Sequence, residues 1–214
     1  MKKNGNLLIA IIKREKLQRG VWDPYRYREN GKCEVLSDYA DVERLNGKRP
    51  PPSAIHFAPL EYKHIPRGNY LTFILEPQAT PNNVAMSVVP EQTLLFGTMR
   101  GYLGNIIVTP KAEWLGAPAP LWFAVKSEFV RIHPKDGLLY FWWAYLKSPA
   151  FLHNLPVGSG GTRPRLHGEA LSHTPVNVPP LTVRRQIHDQ LETLAASAWR
   201  EFVKVEEVIK SLWE

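Results

Sequence analysis

Towards the C-terminal end of the chain, apolar residues recur at Ile187, Leu191, Leu194, Ala198, Phe202, Val205, Ile209 and Leu212, in steps of three and four. That spacing draws one stripe along a helix. Pro179 and Pro180 stop any helix arriving from upstream, because proline lacks the amide donor and biases its predecessor away from helical geometry. Thr182 is placed to cap the first turn through its hydroxyl, and neither Gly nor Pro follows it. At 1.5 Å per residue a helix over 182–213 is roughly 48 Å long, more than the body of a small domain. Such a stripe either takes a helical partner in a coiled-coil-like pairing or lies along its own domain.

Upstream the period shortens. β-like runs at 70–75, 93–96, 104–109, 121–125 and 129–133 alternate with Pro and Gly, the pattern of a compact sheet or barrel core. Asp136 is placed to cap a helix over 137–147 that Ser148-Pro149 closes, with Tyr140, Phe141, Trp142, Trp143 and Tyr145 directed at the core. A further helical turn is expected at 151–155. Ser37 is placed to cap a short helix over 40–43 that ends at Asn46-Gly47. Residues 6–18 are a short helix or a buried strand, between which periodicity does not choose. Residues 20–34 mix aromatic and charged side chains around an Asn30-Gly31 turn, and Lys48-Arg49-Pro50-Pro51-Pro52 is a rigid basic loop. The expected class is α+β: a compact β-rich domain with a few helices over 1–180, then a long helix over 181–214.

Charge changes the picture more than composition does. The 214 residues carry 27 basic and 20 acidic side chains. Residues 182–214 hold five of the basic (Arg184, Arg185, Arg200, Lys204, Lys210) against six acidic, so the surplus lies on the body. A basic body beside a near-neutral helix points to the body as the part that meets a polyanion. Cys33 is the only cysteine, which leaves no disulfide framework or cysteine metal cluster and fits a reducing cytoplasm. The apolar run Leu7 to Ile12 is followed by Lys13, Arg14, Glu15 and Lys16 without a small-residue cleavage site, so neither a signal peptide nor a membrane span is expected.

Catalytic signatures are absent from the chain. Gly158 to Thr162 is not a Walker loop, no His-Glu-x-x-His occurs, and the seven histidines lack ligand spacing. Asn177-Val178-Pro179-Pro180-Leu181 departs from the Asn-Pro-Pro-aromatic signature of adenine methyltransferases: a valine intrudes and leucine replaces the aromatic. Ser159 lacks the Gly-x-Ser-x-Gly elbow, and Phe96 to Gly101 lacks the strand–turn–helix setting of a cofactor loop. No metal site and no bound cofactor are expected on this chain.

The segment leading into the long helix is more informative. Gly158-Ser159-Gly160-Gly161-Thr162-Arg163-Pro164-Arg165-Leu166, then Leu171, Pro175 to Leu181 and Arg184-Arg185-Gln186-Ile187 resemble the DNA specificity subunit of type I restriction–modification systems. In that family a recognition domain ends in a Gly-containing stretch, a Pro-Pro-Leu junction and a long helix with a Gln/Arg-rich first turn. Trp22-Asp23-Pro24-Tyr25 is similar to the family's opening segment, residues 36–47 to its first conserved stretch, and residues 94–108, with Arg100-Gly101 and Gly104, to its central strand pair.

The resemblance implies a DNA reader with no chemistry of its own. The family's subunit has two target recognition domains in tandem, spaced by antiparallel helices, and it directs modification and restriction subunits to a split site. Adenine methylation uses S-adenosylmethionine on the modification subunit. With one domain and one long helix, this chain resembles half of such a subunit, and two copies pairing their helices would rebuild it with two-fold symmetry. The expected partners are double-stranded DNA, modification and restriction subunits and a second copy, in the cytoplasm. Candidate DNA contacts are Lys48, Arg49, Arg100, Tyr102, Arg163 and Arg165, since arginine suits guanine edges and lysine supplies phosphate charge. Candidate interface residues are Ile187, Leu191, Leu194, Ala198, Phe202, Val205, Ile209 and Leu212. Two other readings stand beside this one: the recognition portion of a fused methyltransferase or nuclease, and a dimerising scaffold that does not bind DNA.

Overall fold

The computed structural model describes residues 34–45, 57–76, 86–156, 158–159 and 162–212. Lys48, Arg49, Cys33, the Leu7 to Ile12 run and the Trp22 to Tyr25 segment lie outside them. The body is an antiparallel four-stranded sheet, a two-stranded ribbon and four short helices, onto which one long helix packs. The class is α+β.

The sheet has the order β1-β6-β3-β4, formed by Ala40–Arg44 (β1), Leu94–Gly97 (β3), Ile106–Val108 (β4) and Phe129–Pro134 (β6). Ser87–Pro90 (β2) pairs with Trp122–Val125 (β5) in the separate ribbon. The central strand β3 is buried at every position, so its apolar run is continuous, whereas β1 alternates buried Ala40 with exposed Asp41 and Glu43. Four expected runs form strands, two with trimmed ends and two reaching one residue further, to Gly97 and Pro134. The fifth, at 70–75, does not form one. Ile74 N–H donates to His64 O (2.9 Å) but no ladder extends from it, although Phe73 is buried.

The helix expected over 40–43 is also corrected. The helical turn is Leu36–Tyr39 (α1), closed by Val35 N–H donating to Asp38 Oδ2 (2.9 Å), and the chain then extends into β1. Pairing with β6 across Asp41 and His133 supplies five residues with a sheet partner. Tertiary pairing overrides the local helical preference there.

Leu139–Lys147 (α2) runs from just after Asp136 and buries Tyr140, Phe141, Trp142 and Trp143, as the sequence suggested. Asp136 lies two residues before the cap position and accepts from Leu138 N–H (3.1 Å) and Trp142 Nε1–H (3.0 Å) through Oδ1. Ser148 ends α2 and caps Pro149–His153 (α3), its Oγ accepting from Phe151 N–H (3.2 Å) with proline at the first helical position. Gly168–Ser172 (α4) carries no strong periodic signal in the sequence.

The long helix, α5, spans Leu181–Ser211. Pro180, and not Thr182, occupies the cap position, and no side chain caps the first turn. Arg184 takes over the work of fixing this end. Its Nε donates to Pro179 O (3.1 Å), its guanidinium pairs with Asp136 Oδ2, and it lies 5.5 Å over the Tyr39 ring. One turn later, His188 Nδ1 accepts the Tyr140 N–H (3.2 Å), one of the orphaned amides of the first turn of α2. Lys111 reaches Glu192 (2.9 Å). Ala195 and Trp199 are fully buried, with Phe73 edge-on to Trp199 at 5.0 Å. One face of the first two-thirds of α5 thus packs into the core.

Candidate nucleic-acid interface

The site begins where β3 ends. A Cβ on Gly97 would lie 2.6 Å from Tyr62 Cε1 and 3.0 Å from Asn105, so the strand can end here only with glycine. The Tyr62 ring fills that space, and its hydroxyl donates to Glu128 O (2.9 Å) while accepting from Met99 N–H (3.0 Å). Glu128 O also accepts from Thr98 N–H (2.8 Å) and Thr98 Oγ1–H (2.8 Å). One carbonyl therefore gathers the root of the segment that carries Arg100. Burial pushes the Tyr62 hydroxyl up to about 12. It stays protonated, and so remains a donor, until well above neutral pH.

From that root the chain meets the Arg163–Arg165 segment backbone to backbone. Met99 and Arg165 pair antiparallel, Arg100 N–H donates to Pro164 O (2.8 Å), and Leu166 N–H donates to Thr98 O (2.9 Å). Ser159 and Arg165 exchange both backbone bonds (3.0 and 2.8 Å), and Gly158 lets the two segments approach: a Cβ there would sit 3.0 Å from Arg165 backbone. Arg100 occupies the left-handed region (φ 51°), uncommon for a side-chain-bearing residue, and its guanidinium donates to Thr162 O (3.1 Å).

Residues some sixty positions apart in sequence thereby share one rim. Arg100, Tyr102, Arg163 and Arg165 are all exposed on it. Arg165 lies 3.9 Å from Glu128 Oε1, at the limit of ion pairing, and Arg163 has no carboxylate partner among the described residues. Fixed backbone carrying unneutralised guanidinium groups suits a polyanion. Tyr62, Thr98 and Glu128, which hold the rim in place, escape sequence reasoning. The only hint of them is the glycine that ends the Leu94-Leu95-Phe96 run.

The proposed interface residues of α5 divide between two faces. Ile187, Leu191 and Phe202 are half-buried against the body, on the side of Ala195 and Trp199. Leu194, Val205, Ile209 and Leu212 are exposed, joined by Val208, and Ala198 is half-exposed between them. Positions 194, 198, 205, 208 and 212 keep heptad-like spacing on the outward face. Among the described residues no helix is long and apolar enough to cross a membrane, and no group of His, Cys, Asp or Glu is placed to hold a metal.

The chain is similar to type I restriction–modification specificity components. The HsdS subunit from Thermoanaerobacter tengcongensis matches with a TM-score of 0.41 and 18% identity, over 84% of this chain and 41% of that one. A chain from a structural study of complex assembly and conformational transition of the type I R-M system matches with a TM-score of 0.43 and 19% identity, over 83% of this chain and 42% of that one. The present chain thus spans about two-fifths of the length of the solved chains it matches. No family model and no curated protein matches it.

Proposed function

We propose that this chain is a non-catalytic reader of double-stranded DNA, acting as one half of a type I restriction–modification specificity subunit. One observation carries the reading: Arg100, Arg163 and Arg165, distant in sequence, are set on one exposed rim by backbone pairing. Arg100 and Arg163 would hold phosphates and set register, and the Arg165 fork is left for base readout. The Pro-Pro-Leu junction ahead of the long helix supports the same assignment. In this reading residues 1–180 recognise one half-site, the outward seam of residues 181–214 pairs with a second copy, and the pair directs modification and restriction subunits in the cytoplasm. S-adenosylmethionine is used by the modification partner and not by this chain. Lys48 and Arg49, outside the described residues, are further candidate contacts in the same reading.

The test is binding of a mixed-sequence duplex followed by fluorescence anisotropy as salt is raised. The logarithm of affinity should fall linearly with the logarithm of salt, and Arg163→Ala should reduce that slope by about one. A protein that leaves the duplex free even at low salt is a scaffold and not a DNA reader. Calorimetric binding of S-adenosylmethionine to the isolated chain would instead favour a methyltransferase fragment.

A further inference from the structure

The tip of the rim carries something that gripping phosphate does not require. Tyr102 and Leu103 are consecutive large side chains, 57% and 51% exposed. They stand on the Gly101–Leu103 turn, whose backbone is tied at both ends. Leu103 N–H donates to Arg100 O (2.8 Å), Gly104 N–H to Gly101 O (3.0 Å), and the turn's left-handed flanks are Arg100 and Gly104. Gly101 itself is buried against Phe96 and Leu166. A single exposed apolar side chain is ordinary on a protein surface. Two in succession, held out on a pinned turn between arginines, form a small rigid ridge.

The ridge separates two hollows. Tyr102 borders one of about 250 Å³, walled by Leu152, Leu155, Pro156 and Leu166. Leu103 borders the other, of about 360 Å³, with Tyr62, Asn105 and Arg163 on its far side. Arg100 touches both. The matching partner is anionic on the outside and apolar when entered edge-on. A duplex fits that description: its phosphates face the guanidinium groups and its base stack is reached through a groove.

We propose that Tyr102 and Leu103 act as a wedge that partly unstacks one base step and bends the duplex, with Arg100 and Arg163 holding the phosphates on either side. The inference rests on the DNA reading proposed above and adds to it a deformation and a further specificity element. Apolar side chains inserted between base steps kink DNA in this way. Pyrimidine–purine steps unstack most easily, so the site read by this chain should carry one opposite the ridge.

The experiment uses the full chain and a duplex enriched by it from a randomised pool. End-to-end energy transfer reports bending, and 2-aminopurine placed at successive positions reports unstacking. The wild-type chain should bend the duplex by at least about 20° and brighten 2-aminopurine at one step. The Tyr102→Ala, Leu103→Ala double variant should lose both signals and weaken binding about tenfold, with the salt slope unchanged. Its melting temperature should match the wild type, because both side chains face solvent. The conservative Tyr102→Phe, Leu103→Met pair should retain bend and brightening. A straight wild-type complex with 2-aminopurine quenched throughout, or a double alanine variant that bends like wild type, overturns the wedge and leaves DNA reading standing. A pool that never enriches overturns the DNA reading, and the wedge falls with it.

Discussion

At the scale of single residues, the rim depends on a side chain that makes no claim on DNA. Tyr62→Phe keeps the ring against Gly97 but removes the hydroxyl that joins Met99 N–H to Glu128 O. The part-buried amide loses its acceptor, a loss of about 1 kcal/mol. Chemical denaturation should register it, and the salt-independent part of DNA affinity should fall with it. Lys147 gives a pH-dependent counterpart. Burial lowers its ammonium to about 8, with Nζ 5.1 Å from the Trp143 ring centre. The unfolded chain keeps an ordinary lysine near 10.5, so it binds the extra proton between those values and stability rises with pH from about 8 to about 10.5. Lys147→Met should flatten that rise and raise the melting temperature at neutral pH. The rim's three arginines and Tyr102 stood out in the sequence through a Gly-flanked turn and a Gly-rich stretch. Tyr62 and Glu128 were not, because their roles come from contacts across more than sixty residues that no local pattern encodes.

At the scale of elements, the joint between α2 and α5 carries the most interest. Asp136 receives Leu138 N–H, Trp142 Nε1–H and the Arg184 guanidinium in a largely buried setting. Asp136→Ala leaves a cation and an indole donor without their partner, and removing one member of a buried pair destabilises by about 3–5 kcal/mol. Urea denaturation of that variant should show a lower midpoint with a similar slope. Trp199→Ala should lose a similar about 3–5 kcal/mol, since it empties a fully buried site where α5 meets Phe73. The strands β3 to β6 and the helix α2 were readable because their apolar runs are long or sharply bounded. The strand β1 was not: Ala40 to Arg44 has helix-compatible residues, and only its ladder to β6 makes it extended. The stripe on α5 was readable as a stripe but not as two faces. The inward one is centred on Ala195 and Trp199, nearly a third of a turn away from the outward one that runs through Leu194 and Val205.

At the scale of the whole molecule, a basic body adjoins an apolar seam that the body leaves uncovered. Leu194→Asp with Val205→Asp places charge on the outward face only, so light scattering should report a dimer for the wild type and a monomer for this variant, with the melting of the body little changed. Charge at Phe202 is a poorer probe, since that ring packs 5.6 Å from Trp199 and its loss would disturb the fold as well. The proposed two-fold pairing would also constrain the DNA, because identical readers held apart by paired helices would face the duplex in opposite directions. Selection of bound duplexes from a fully randomised pool is therefore the most direct test. The account predicts enrichment of two short inverted elements separated by a fixed, unread gap. A pool that stays random through successive rounds would contradict it.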